Sequence, residues 1–195
     1  MRKSTIERKT NETDINITLN LDGTGKSTIN SSLGFLDHML ELFSRHSLID
    51  LELNAKGDNA DEHHLVEDIG IVLGQALAKA IGDKKGVNRY GTMILPMDEV
   101  LALVSLDFAG RFSFNLDADF TREKVGDLPT ELIYDFFDGL AQNAKLNLQI
   151  KLLTPGRNNH HKIEAIFKAF ARAIRIAATK DERTKDVIPS TKGVL

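Results

Sequence analysis

Cysteine and tryptophan are both absent from the 195 residues, and tyrosine occurs only twice. Without cysteine there is no disulfide, no thiolate zinc site and no thiol nucleophile, so any metal must be held by imidazole and carboxylate. That composition suits a reducing compartment. No apolar run approaches the ~20 residues needed to span a bilayer, and the opening MRKSTIERKTNET lacks the apolar segment of a secretory signal. These absences predict a cytoplasmic, unprocessed protein with no membrane partner. Neither sign of charge dominates: 25 Lys+Arg stand against 28 Asp+Glu, a formal charge of −3. The bulk balance therefore gives no reason to expect a nucleic acid, and an anionic ligand would have to be bound by a local cluster.

What the chain does contain is enough apolar sequence for a substantial core, in one domain or two small related halves. Ile15 to Leu21 alternates apolar and polar residues as a half-buried strand does, and Asp22-Gly-Thr-Gly25 supplies turn chemistry, with a hairpin as the simplest continuation. Gly34 to Arg45 spaces its apolar residues as a helix, and Leu48 to Leu53 reads as a strand. From His63 to Ile81 apolar residues recur at three and four, which predicts a long amphipathic helix ended by Gly82. Further strands are expected at 93–95, 100–106, 112–116 and 146–153, and helices at 132–140 and 163–178.

The order strand, helix, strand, helix thus occurs twice. His63-His64-x-x-Glu67 returns as His160-His161-x-x-Glu164 at a shift of 97 positions, and the same shift superposes His38 on Asp135. Asp22-Gly-Thr-Gly25 has a looser echo in Asp107-Phe-Ala-Gly110 at a shift of 85, so spacing has drifted in the front of each half. The expected fold is α+β: a duplicated unit whose helices pack on one face of mostly antiparallel sheets. It would form a single catalytic domain of two halves, about 1–92 and 93–180, followed by a C-terminal substrate-binding tail.

Four of the six histidines lie in the two doublets, both at helix starts. Residues three or four apart share a helix face, so a doublet histidine can approach its glutamate, while neighbouring histidines diverge by about 100° and tend to serve different metals. If each half lends one histidine to each of two ions, the doublets become parts of a two-metal site with Glu67 and Glu164 as anionic ligands and His38 as a further donor. Nitrogen and oxygen donors without sulfur suit Mn, Fe, Co, Ni or Zn. The plainer reading is two solvated, polar helix N-termini, which acidic residues favour anyway; exact repetition of the pattern weighs against it.

Six ordered segments carry a family resemblance: Gly34-Phe-Leu-Asp-His-Met-Leu40, Asp61-Glu-His-His-Leu-Val-Glu-Asp68, Arg89-Tyr-Gly91, Pro96-Met-Asp-Glu99, Asn159-His-His-Lys-Ile-Glu164 continuing to Ala169, and Ile188-Pro-Ser-Thr-Lys-Gly193. Together they resemble the imidazoleglycerol-phosphate dehydratase family from Ile6 to Leu195. The resemblance implies a lyase of histidine biosynthesis that removes water from imidazole glycerol phosphate to give imidazole acetol phosphate, with two Mn(2+) per active site. It implies metal ligands at His38, His63, His64, Glu67, His160, His161 and Glu164. Asp135 stands where the family often has a further histidine ligand, a replacement a hard ion tolerates. The family also assembles as a 24-subunit shell built from trimers, with metal sites completed across subunit contacts.

The chemistry such a site would serve starts at the imidazole ring. If a metal favours the imidazolate, ring electrons expel the neighbouring hydroxyl to a diazafulvene-type intermediate, and loss of a proton from the next carbon gives an enol. The second metal would orient the diol oxygens. Glu12 matches the family position proposed for acid/base work, with a surface glutamate as the bland alternative. Glu67 and Glu164 share the catalytic assignment as metal-bound carboxylates. Arg89, Arg111, Lys168, Ser190 and Lys192 match the phosphate-binding positions, and Asp98, with Glu99, is expected either at the substrate or behind a metal ligand. His46, the remaining histidine outside the motifs, suits a structural or supporting role as well as a direct one. Leu65, Ala109 and Gln149 depart from family-typical residues without removing a ligand. Two rival readings stay open: a metal-holding shell protein without turnover, against which the cationic set argues, and a dinuclear phosphohydrolase.

Overall fold

The computed structural model describes residues 2–58 and 60–195. The first half runs β1 (Lys3–Lys9), β2 (Thr13–Asn20), β3 (Ser27–Asn30), α1 (Gly34–Ser47), β4 (Asp50–Gly57) and α2 (Glu62–Ile81). The second runs β5 (Tyr90–Met97), β6 (Val100–Asp107), β7 (Ser113–Asp117), a short pair β8 (Lys124–Val125) and β9 (Leu128–Pro129), then α3 (Leu132–Ala144), β10 (Asn147–Thr154) and α4 (Asn159–Ala178). The two four-stranded sheets have the same order, β1-β2-β4-β3 and β5-β6-β10-β7. In both, the last pair is parallel and the others antiparallel. The α+β class and its duplication are therefore as the repeats imply. The drift in spacing also has a cause: β4 to β10 is a shift of 97 and β2 to β6 a shift of 87, and the difference is taken up between β7 and α3, where β8 and β9 lie.

The hairpin expected after Leu21 does not form. β3 passes beyond β2 and pairs in parallel with β4, so that Ile29 lies opposite Leu53. The Asp50 carboxylate holds that crossing by accepting from the backbone amides of Thr24 and Lys26, at 2.8 and 3.0 Å. A turn sequence fixes a reversal of the chain, but the strand's partner is decided by which edge remains open. The actual hairpin joins β1 to β2 through 10–12, with Ile6 opposite Ile17.

Each sheet turns its alternating apolar residues inward. Ile15, Ile17 and Leu19 of β2, and Ala102, Val104 and Leu106 of β6, are all buried. α2 packs on β1 and β2, and on α3 of the other half; α4 packs on β5 and β6, and on α1. The helices therefore form a layer between the sheets, and each helix that begins with a histidine doublet leans on a helix from the opposite half. Phe43, Phe136, Phe137, Phe167 and Phe170 stack where α1, α3 and α4 meet, with ring centroids 5.0–5.6 Å apart. Such aromatic contacts contribute beyond simple burial. The α2–α3 crossing is close because α2 has Gly70 and Gly74 there: a β-carbon would lie 2.3 Å from the carbonyl oxygen of Phe136 or 2.4 Å from that of Leu140.

Candidate metal centre

Both doublets sit in first helical turns fixed by matching caps. Asp61 accepts from the amide of His63 and Asn158 from that of His160, each at 3.0 Å. A side-chain acceptor at this position satisfies an otherwise orphan amide and sets where the helix begins. The caps thus place both histidines of each pair on the first turn, and the rings diverge, at interplanar angles of 78° and 84°.

The cross-half packing then builds two related clusters. On the α1–α4 side, His38, His160 and Glu164 bring donor atoms within 4.8 Å of one another. His160 Nε2 lies 3.1 Å from Glu164 Oε2, and Phe35 packs edge-on to the His160 ring with centroids 5.0 Å apart. On the α3–α2 side, His63 Nε2 is 3.7 Å from Glu67 and its Nδ1 is 3.7 Å from Asp135. Asp135 holds the repeat position of His38, but it meets Nδ1 of His63 while Glu67 meets Nε2, so these three do not converge as His38, His160 and Glu164 do.

The second histidine of each doublet faces other carboxylates. His161 Nδ1 is 2.8 Å from Glu99 and its Nε2 is 3.5 Å from Asp98, which together form the second compact donor group. His64 Nδ1 meets Asp58 at 3.3 Å. Among the described residues, no cluster, ion pair or ring contact joins one doublet to the other within the subunit. Within the described residues of one subunit the two doublets therefore belong to separate groups.

Electrostatics favour the charged form of three of these carboxylates, Glu99, Glu164 and Asp58. The His161 ring, then the backbone amides around it, hold Glu99 at about 2, against an ordinary 4.5. Burial pushes Glu164 upward, but the Lys168 ammonium 2.5 Å away and the His160 ring more than offset it, and its net shift is downward. Asp58 is lowered first by the amide of Ala60 and then by His64. Imidazoles beside ionised carboxylates, with no sulfur, form a donor set suited to a divalent transition ion. Ligand bonds of about 2.0–2.2 Å need donors within ~4.5 Å of each other, and the observed spacings approach that.

The model of the family described as imidazoleglycerol-phosphate dehydratase matches residues 31–174. A protein of that name from Clostridium botulinum is 55% identical over 195 residues, covering all of this chain and 98% of its own. The chain belongs to the imidazoleglycerol-phosphate dehydratase family. It is also 52% identical over 195 residues to the namesake from Acetivibrio thermocellus, with 100% and 99% covered. The crystal structure of the Staphylococcus aureus dehydratase superposes with a TM-score of 0.83 at 46% identity, covering 92% of this chain and 99% of that one. A Pyrococcus furiosus structure, in complex with (S)-C348, gives 0.79 at 35% identity, covering 97% and 100%. The family is one of hydro-lyases.

The cations expected from the sequence to bind phosphate lie in separate places in this chain. Lys168 sits beside the α4 cluster, on Glu164 and near the Met97 sulfur. Arg89 is engaged: it forks onto Asp107 at 2.6 and 3.0 Å, donates to the carbonyl of Pro189, and stacks over the Tyr90 ring. It therefore anchors the tail that carries Ser190 and Lys192. Those two form a local turn, with the Lys192 amide donating to Ser190 Oγ at 3.2 Å. The last residue, Leu195, rests against Gly110, and Arg111 beside it is exposed. Asp98 lies against His161, and Glu12 projects from the β1–β2 turn. Half-buried His46 faces Lys168 and Arg172 and is shifted down by burial and by those charges.

Two residues were missed from sequence. Asp58 reads as loop punctuation, and its only signal is a carboxylate six residues before His64. Asp127 carries none: its carboxylate accepts from the amides of Gly34 and Phe35, and so caps α1 from 92 residues away.

Proposed function

We propose that this chain dehydrates imidazole glycerol phosphate to imidazole acetol phosphate in histidine biosynthesis, in the cytoplasm, with two Mn(2+) ions per active site. The observation that carries the reading is the paired construction: an α1-type helix lends His38 or Asp135 to an α2-type helix bearing His160 and Glu164 or His63 and Glu67. The compact group of His38, His160 and Glu164 offers three donors, fewer than a six-coordinate ion takes. His64 with Asp58, and His161 with Asp98 and Glu99, supply the remainder from neighbouring subunits in a trimer-built 24-mer. When bound, the ions supply Lewis acidity toward the ring nitrogen and the diol oxygens.

The chain's own groups do the rest. Loss of the ring proton lets ring electrons expel the adjacent hydroxyl along the diazafulvene-type route. The ring proton passes to the departing hydroxyl, which leaves as water; Glu12 then takes the proton from the neighbouring carbon, the ring nitrogen regains a proton, and the resulting enol tautomerises to the ketone. Glu67 and Glu164 serve as ligands. Lys168, Arg111, Ser190 and Lys192 bind the phosphate, and Arg89 fixes the tail that presents the last two. Asp98 orients His161.

Metal-loaded protein incubated with imidazole glycerol phosphate should release the ketone and no free phosphate. Glu12→Gln should lower turnover by about 10²–10⁴-fold with bound metal unchanged. Phosphate release would mark a phosphohydrolase, and near-normal turnover in Glu12→Gln would remove the base assignment.

A further inference from the structure

Asp68 directly follows Glu67 on α2, so it points about 100° away around the helix, toward the sheet. Its side chain is only 9% exposed. One oxygen accepts from Arg8 Nε at 3.0 Å and the other from Thr13 Oγ1 at 2.5 Å. Arg8 is near the end of β1 and Thr13 opens β2, so one buried carboxylate grips both strands of a hairpin just before its turn.

From Thr13 the wiring continues into that turn. Thr10 Oγ1 contacts Thr13 Oγ1 at 3.2 Å and accepts from the amides of Glu12 and Thr13, at 3.1 and 3.0 Å, while the Thr10 amide donates to the Thr13 carbonyl. The backbone of Glu12 is pinned while its side chain stays exposed. Thr13 also lies opposite Gly57 across the β2–β4 ladder, next to Asp58, the partner of His64. The turn therefore sits at the same end of the sheet as the α2 donors.

We infer that Asp68, acting through Thr13 and Thr10, is a positioning residue that fixes Glu12 relative to the helix carrying His63, His64 and Glu67. The inference rests on the proposed role of Glu12 and adds how that carboxylate is held. A buried carboxylate with two charge-assisted bonds is rigid, and a misplacement of about 1 Å at a reacting group costs up to about 10²-fold in rate.

Thr13→Val keeps the shape of the side chain and removes the hydroxyl; Thr13→Ser returns the hydroxyl. In the metal-loaded enzyme, Thr13→Val and Asp68→Asn should lower kcat by about 10- to 100-fold, with KM and bound metal little changed, and Thr13→Ser should restore most of it. In metal-free protein, the Glu12 and Thr13 amides should exchange hydrogen faster in Thr13→Val than in the parent, and revert in Thr13→Ser. Undiminished kcat in Thr13→Val, equal loss in Thr13→Val and Thr13→Ser, or unchanged exchange would overturn the inference. Glu12→Gln separates the two layers: if it is inactive while Thr13→Val turns over normally, only the positioning role falls; if it is itself active, both fall.

Discussion

Asp127 shows how far a single residue can act from its place in the chain. The N-cap position of α1 is Leu33, which has no acceptor of its own, yet the amides of Gly34 and Phe35 end on the Asp127 carboxylate at 2.6 and 3.0 Å. A carboxylate there satisfies two orphan donors and meets the positive end of the helix dipole. Asp127→Ala should cost about 0.5–2 kcal/mol, read as a lower denaturant midpoint with faster exchange at Gly34 and Phe35, and Asp127→Asn should cost less. An unchanged midpoint would mean that water replaces the cap at no cost. The residues readable in advance were those whose chemistry is local: His63, His160, Glu67 and Glu164 share a helix face by spacing alone. Asp58 and Asp127 were not, because their partners are set by loop paths that no periodicity records.

Among the elements, helices were the more legible. α1, α2 and α4 have apolar stripes wide enough to show their period. β1 did not, since its inward positions are Ser4, Ile6 and Arg8. Ser4 is buried because its hydroxyl donates to the carbonyl of Ala76 on α2 at 2.8 Å, and Arg8 turns inward to reach Asp68. A strand whose inner face is held by polar bonds leaves no alternation to read. The α2–α3 crossing tests the packing directly. Gly74→Ala gains up to about 1 kcal/mol of helix propensity, but its β-carbon would meet the Leu140 carbonyl oxygen at 2.4 Å, in backbone that cannot rotate away. Overpacking of this kind typically costs about 1–3 kcal/mol, so the clash wins. Urea denaturation should show a lower midpoint at an unchanged slope, and a stabilised Gly74→Ala would contradict so close an approach.

For the whole molecule, the repeat and the α+β class followed from the sequence because identical motifs 97 positions apart fold identically. The pairing of α1 with α4 and of α2 with α3 did not, since it joins helices that begin 125 and 70 positions apart and each helix has an equally good candidate in its own half. That pairing draws His63 and His160 toward a helix of the opposite half and leaves His64 and His161 with carboxylates of their own. If neighbouring subunits share ions through them, a chelator should reduce the sedimenting mass and Mn(2+) should restore it; a mass indifferent to chelation would place assembly on other contacts. Among the described residues no helix is long and apolar enough to cross a membrane. The exchange of helix partners has one more consequence, for descent. Copies of a duplicated unit are usually free to drift apart once one of them suffices, but here the imidazoles of each copy rest on a helix inherited by the other, so neither can wander without unsettling its twin.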